Sequence, residues 1–400
     1  MVAAANISEL TTEEIKNLIG LCGNWIQQPE IRQQIAALGI PINSPGRMTA
    51  NDRSLLRQFC IATGTPWARE RTSRYKGFDF HNDKTRAEES LYEFGQQAWD
   101  IVEPGQPFIK GRHIEIICLH LEALANGTLG RDNLLINIPP GHSKSIFTNV
   151  FLPAFVWAKD PTKRFLYGAY EQKLSTRDSI ACRSIIESDW YKSRWPHVKL
   201  VGDQNEKTKF QNSEKGWRIA SSVGGSGTGL HPHFIIADDP HDVRRANSEA
   251  ERQKGVTWWT GTISSRGILV NVKKVVIMQR LHVDDVSGWI LANQPDEYDH
   301  ICLPARFEFG RMGPTSLGMS DWRSVEGELL WPSAFTEEKL RQMELPMGQI
   351  EAAGQLQQRP MIKGGMLFKR EWFQEMRVEE LVGGFTGQHS HFLTARGLFS

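Results

Sequence analysis

The sequence predicts an α/β fold with a mainly parallel sheet, preceded by an α-helical N-terminal region, and three observations carry that prediction. Short runs rich in β-branched, aromatic and other apolar residues, LLINI, RFLYGAY, HFIIADD and KKVVIM, are each bounded by Gly, Pro or Asp within residues 106–310. Segments of helical periodicity separate them, and apolar runs of this length are what strands covered on both faces look like. The first hundred residues are instead mainly helical in pattern.

Taken in order, ELTTEEIKNLIGLCGNWI spaces apolar residues by three and four behind an acidic start, with Thr12 as its N-cap. PINSPGRMTAN and YKGFDFHNDKT are rich in turn formers and precede the helical pattern SLYEFGQQAWDIV. These segments define a helical accessory region over 1–105, followed by the α/β domain over 106–310. ELLWPSAFTEEKLRQM and GQIEAAGQLQQRPMIKGGMLFKREWF then predict two helices and a Pro/Gly connector, a linker subdomain over 311–375. VGGFTGQHSHFLTARGLFS has no clear period and reads as an irregular tail over 376–400.

With 400 residues, 40% of them hydrophobic, the chain can bury at least one large core. Lys plus Arg number 47 against 46 for Asp plus Glu, so no global basic field announces a polyanion partner. Any such contact is local; Arg244, Arg245 and Lys254 form one candidate track, and a solvated helix face explains them equally well. The five cysteines, Cys22, Cys60, Cys118, Cys182 and Cys302, are odd in number and form no C-x-x-C pair, which argues against a disulfide framework and a zinc knuckle. The N-terminus lacks a basic start followed by an apolar run, and no stretch is long enough to span a membrane, so the expected setting is a reducing cytoplasm with no membrane partner.

The chemistry centres on PPGHSKS, residues 139–145, which follows the strand LLINI and precedes the helical SIFTNVFLPAFVWA. A strand end meeting a helix N-terminus supplies unpaired amides and the positive end of a dipole, which suits a phosphate group. Pro139 and Pro140 have no N–H, so the cradle falls to the amides of Gly141, His142, Ser143, Lys144 and Ser145. Lys144 would reach the β- and γ-phosphates of ATP and the Ser145 hydroxyl would ligate Mg²⁺, the arrangement of a P-loop NTPase core. The usual spelling wants glycine at Ile138 and Ser143; a left-handed Ser143 would cost about 1 kcal/mol or more. On the loop alone, a Pro-Gly turn opening an ordinary helix stays open as the other reading.

HFIIADDPHD ends an apolar strand in Asp238 and Asp239, the form that delivers one Mg²⁺ ligand and one general base beside a nucleotide, or else caps a following helix. KKVVIMQRLHVDDVSGWIL ends a strand in Gln279, placed to orient a water or sense a γ-phosphate, or to sit in a polar turn. Asp284 and Asp285 read as N-terminal helix acids and His282 as a loop residue.

The order and spelling of these segments resemble the large subunit of tailed-phage terminases: P-P-x-H-x-K-S, a strand ending D-D-P, V-I-M-Q-R, and a connector like GQLQQRP followed by GGMLFKREWF, over about Ser90 to Phe373. The resemblance implies an ATP-driven motor that moves double-stranded DNA into a procapsid. Lys144 and Ser145 match the Walker A lysine and hydroxyl, Asp238 the Walker B metal ligand, Asp239 the catalytic carboxylate and Gln279 the coupling motif. Phe108 and His113, in FIKGRHIEII, match the adenine-side element. The implied cofactors are ATP and Mg²⁺. The implied partners are a portal protein, a small terminase subunit and further copies of the chain in a ring. The implied place is the host bacterial cytoplasm, for a phage- or prophage-encoded protein, with transient attachment at the procapsid portal.

Two departures stand out. Leu230 occupies the position after Thr-Gly where many relatives have an arginine, and a finger arginine is worth roughly 10³ to 10⁵ in rate, so Arg218 and Arg177 become candidate substitutes. Relatives also continue into a metal-dependent nuclease, yet Gln374–Ser400 contains no Asp, so nuclease activity is not expected from this chain and a truncated motor half is. Two other readings stay open: a nucleic-acid-stimulated P-loop ATPase or helicase outside packaging, and a prophage remnant without turnover.

Overall fold

The computed structural model describes residues 80–202, 206–225, 230–263 and 272–361, with short pieces at 35–36, 392–394 and 397–399. The predicted helix at 9–26 with Thr12, the turn-rich stretch 41–51 and the connector GGMLFKREWF lie outside the described residues. The chain divides into two compact units, Met1–Pro360 and Met361–Ser400.

In the first unit, α1 (Phe80–Glu89), α2 (Leu91–Val102) and α3 (Arg112–Asn126) lead into β1 (Asn133–Asn137). A π-helical turn, Ile146–Phe151, runs on into α4 (Leu152–Lys159), followed by β2 (Phe165–Ala169), α5 (Gln172–Glu187) and α6 (Asp189–Arg194). Next come β3 (Lys209–Gln211), β4 (Trp217–Ser222), β5 (Phe234–Asp238) and α7 (Glu249–Thr257), the last continued by a second π turn, Trp258–Ile263. β6 (Lys273–Met278), α8 (Val286–Asn293), β7 (Tyr298–Cys302) and α9 (Glu337–Gln355) complete the unit.

The sheet has seven strands in the order β3-β4-β2-β5-β6-β1-β7. Only β3 runs antiparallel to its neighbour; every other pairing is parallel. The predicted mainly parallel α/β sheet is therefore found, with β6 lying between β1 and β5, so that the three strand ends PPGHSKS, DD and QR share one edge. β1, β2 and β5 are buried along their whole length. Alternate residues feed two cores: Leu134, Ile136, Tyr167 and Ile236 face the helices α2 to α5, while Leu135, Leu166, Ile235 and Val276 face Trp258, Val286 and Ile290. On that second face Trp258 lies so close over β2 that a Cβ on Gly168 would meet its ring at 2.4 Å.

Local chemistry fixes the helix ends. Ser90 Oγ accepts from the Glu93 amide, Asp285 from Gly288 and Thr336 Oγ1 from Lys339, each relieving a first-turn donor. Pro153 explains the first π turn. Without an N–H it cannot serve the carbonyl four residues back, Asn149, or five back, Thr148. The Leu152 amide donates to Phe147 five residues earlier, and side chains from the sheet take over the two spare carbonyls: Tyr167 Oη donates to Thr148 O at 3.0 Å and Arg218 Nη2 to Asn149 O at 3.1 Å.

α9 breaks inside at Gly348 (φ 75°, ψ 170°), two residues after Pro346, so the span is two helical segments meeting at a kink, in keeping with the pair of helices the sequence predicts. In the second unit, Phe392–Thr394 (β8) and Gly397–Phe399 (β9) pair antiparallel within the stretch read as an irregular tail. Among the described residues, no helix is long and apolar enough to cross a membrane.

Candidate functional site

The loop after β1 turns twice through left-handed backbone, at Gly141 (φ 78°) and Ser143 (φ 59°), before Ser145 enters the helical region. The strain expected at Ser143 is thus present, borne by a residue with a Cβ. Gly141 has a second constraint, because a Cβ there would lie 2.9 Å from Phe335 Cζ. The His142 ring stacks face to face on Phe335, centroids 4.4 Å apart and planes 9° from parallel, and His142 Nδ1 donates to Pro140 O at 2.9 Å. Burial lowers the His142 pKa to about 4, so the ring is neutral and a true stacking partner.

His113 lies beneath this loop, 0% exposed, with Nε2 donating to His142 O at 3.2 Å and its ring edge-on to Trp331 at 4.9 Å. Burial holds its pKa well below the usual range. Phe108 is half-buried among Tyr92, Trp99 and Phe147. Both residues of the predicted adenine-side element are therefore engaged with protein, one under the loop and one in an aromatic cluster behind it.

The end of β5 brings the carboxylates to the lysine. Lys144, 5% exposed, places Nζ 3.0 Å from Oδ1 and 3.0 Å from Oδ2 of Asp239. Asp239 adopts φ 41°, a left-handed turn away from the strand direction, while its amide still donates to Ile277 O at 2.9 Å. Its Oδ1 also accepts from the Gln279 amide at 3.1 Å, so β6 fixes the carboxylate from the other side. The Gln279 side chain is buried and its Oε1 has no partner.

Asp238 points the opposite way, into the space beneath the π turn. Its Oδ2 accepts from Asn149 Nδ2 at 2.6 Å, while Oδ1 is buried and makes no hydrogen bond of good geometry. Burial, and next the charge of Asp239, raise the Asp238 pKa to about 7, while Lys144, and the Ser145 hydroxyl close by, pull it down. A divalent cation would answer both features, since Mg²⁺ prefers hard oxygen donors and takes one or two protein ligands together with phosphates and waters. The orphaned Oδ1 beside the Ser145 hydroxyl fits that donor set. Among the described residues, no group of three or more His, Cys, Asp or Glu side chains could hold a metal ion by itself.

The neighbouring acids and bases have other tasks. Asp285 is fully buried, holds Arg280 Nε at 3.0 Å through both oxygens and caps α8; His282 accepts from the Asp284 amide in the loop before it. Arg218, a candidate finger, is not a surface residue: it is 0% exposed and its guanidinium stacks 4.2 Å from the Tyr167 centroid. Arg177 is 67% exposed and pairs with Asp178 at 2.8 Å, and Leu230 packs against the second core. Arg244 and Arg245 lie 3.8 and 3.7 Å from Asp242, and Lys254 lies 2.5 Å from Glu251, so each charge in the candidate basic track faces an acid.

Sequence reasoning did not single out four site residues. Asn149 and Asp178 are polar positions in helical patterns, which read as solvent-facing. Trp331 and Phe335 reach the loop from a distant segment; the only signal was two aromatics in an otherwise turn-like LWPSAF.

No family model and no curated protein matches the chain. Solved structures similar to it in fold include phage large terminases and a large-terminase ATPase domain. A mutant ATPase domain of the Thermus phage P74-26 large terminase superposes with a TM-score of 0.42 at 9% identity, covering 66% of this chain and 98% of that one. The HK97 bacteriophage large terminase gives a TM-score of 0.40 at 14% identity, covering 64% of this chain. The chain spans about half the length of that protein, 51%.

Proposed function

We propose that this chain is the ATP-hydrolysing motor portion of a large terminase, moving double-stranded DNA into a procapsid. The observation that carries the hydrolase reading is the Lys144–Asp239 ion pair beside Asp238, at the mouth of a loop bent by left-handed Gly141 and Ser143. ATP phosphates would draw Lys144 off Asp239, leaving that carboxylate to orient and deprotonate the attacking water. Amides from Gly141 to Ser145 would cradle the phosphates, and Lys144 would follow the charge that develops on them. Ser145 and Asp238 would hold Mg²⁺, which when bound neutralises phosphoryl oxygens. Gln279, whose amide already holds Asp239, would pass the state of that carboxylate to β6. His113 from beneath and Phe108 from the aromatic cluster behind would support the adenine side of the loop.

The packaging part of the reading draws on the ordered terminase-like motifs of the sequence, with a portal protein, a small terminase subunit and a ring of copies as partners in the host cytoplasm. The test is Mg²⁺-dependent ATP hydrolysis by the purified chain, with and without double-stranded DNA and procapsids, beside Lys144→Ala and Asp239→Ala. Turnover that both substitutions abolish and procapsids raise is the expected result. Turnover equal in all three proteins would sink the site, and DNA stimulation indifferent to procapsids would favour a helicase.

A further inference from the structure

Asn149 lies in the π turn, 3% exposed, and bonds residues of both β5 and α5. Its Nδ2 donates to two carboxylates at once, Asp238 Oδ2 at 2.6 Å and Asp178 Oδ2 at 2.8 Å. Both hydrogens of that amide are thereby used, while Oδ1 is buried without a partner. The reverse orientation would turn a carbonyl oxygen toward two acids, so the assignment of nitrogen and oxygen follows from the charges around it.

The backbone is built to put it there. Pro153 strands the Asn149 carbonyl, and Arg218 collects it from β4 with the flat guanidinium braced on Tyr167. Asp178, 4% exposed, is held from outside by Arg177 through Nε at 2.9 Å and Nη2 at 2.8 Å. An uncompensated network of this kind would be costly in a low-dielectric interior, and a merely structural polar cluster would leave Asp238 with both oxygens satisfied. Here one oxygen is taken by Asn149 and the other, buried, makes no hydrogen bond of good geometry, with the Ser145 hydroxyl close to the carboxylate.

Resting on the ATPase reading above, we infer that Asn149 is a positioning residue for the metal-facing oxygen of Asp238, and that Asp178 sets the orientation of Asn149. By occupying Oδ2, Asn149 prevents rotation of the carboxylate and presents Oδ1 beside Ser145. Partners of this kind behind a metal ligand change metal affinity or activity by about 10–100-fold when removed.

The experiment titrates Mn²⁺ into the full chain with a non-hydrolysable ATP analogue, reading metal binding by electron paramagnetic resonance and metal-free nucleotide binding by calorimetry. Asn149→Ala is expected to weaken the Mn²⁺ half-saturation by about 10-fold or more with metal-free nucleotide affinity unchanged. Asp178→Asn, isosteric and able to fold should Asn149→Ala fail to, is expected to weaken it several-fold in the same direction. Metal binding unchanged in either folded variant would overturn the inference while leaving the nucleotide site standing. Wild-type protein that binds no nucleotide, alongside Lys144→Ala that binds none, would overturn the site itself and this inference with it.

Discussion

The Lys144 ammonium lies 3.0 Å from each carboxylate oxygen of Asp239. The cation proposed to greet the phosphates and the anion proposed to activate water are thus locked on each other, and nucleotide binding must begin by separating them. Asp239→Asn, which keeps an oxygen for the Gln279 amide, removes that competition. We expect it to bind ATP at least as tightly as wild type while turnover falls by roughly 10²–10⁴. Nucleotide titration and steady-state hydrolysis on the same preparation check this, and weaker binding in the variant would count against the partner exchange.

Gly141 carries two constraints that a double substitution can separate. Gly141→Ala meets both the left-handed angle and the Phe335 ring 2.9 Å away. We expect a loss of about 2 kcal/mol or more, combining backbone and steric costs. Adding Phe335→Ala should remove the steric share, so that the two changes are less than additive in denaturant unfolding. Strict additivity would show that the ring does not press on the loop.

Arg218 is enclosed, so its substitution should act on folding before chemistry. Lysine cannot both stack on Tyr167 and reach Asn149 O, and Arg218→Lys should cost about 1–2 kcal/mol. A melting curve checks this. Unchanged stability with lost turnover would instead return Arg218 to candidacy as a finger.

His300 gives the stability a defined acid limb. It is half-buried, hydrogen-bonded to Asn137 Oδ1 at 2.9 Å, and the loss of solvent around the ring lowers its pKa to about 4. The unfolded chain takes up this proton near 6.5, which the folded chain refuses until about 4, so stability is complete above the first value and falls as pH drops toward the second. By about pH 5 one such histidine costs about 2 kcal/mol. His142, lowered to about 4 as well, adds to the same limb. Urea unfolding near pH 7 and near pH 5 should show the drop, and His300→Gln should make it smaller.

Four of the strands, and the polar residue that ends each of three of them, were legible because a strand covered on both faces is a compact apolar word. β7 was not, since Asp299 and His300 interrupt it; the structure satisfies them with Ser316 and Asn137 instead of water. β3, at the sheet edge, and β4 beside it escaped for the opposite reason, because their burial is partial. In the site, Asp238, Asp239 and Gln279 could be read because each ends or directly follows its strand, and Lys144 because its loop joins a strand to a helix start. Asn149 could not, because its value comes from a missing N–H at Pro153, and Arg218 was read only as a candidate finger, because burial of a cation leaves no mark on a one-dimensional pattern.

The kinked helix α9 is tied to the site at both ends. At its start, Phe335 precedes the capping Thr336 and lies on His142 of the phosphate loop. Just past its end, Gln358 Oε1 accepts the amide of Arg280, next to Gln279. Between them Gly348 interrupts the helical rod. The helix is therefore a jointed strap, one covalent link with a single break that ties the phosphate loop to the strand tip whose amide holds Asp239.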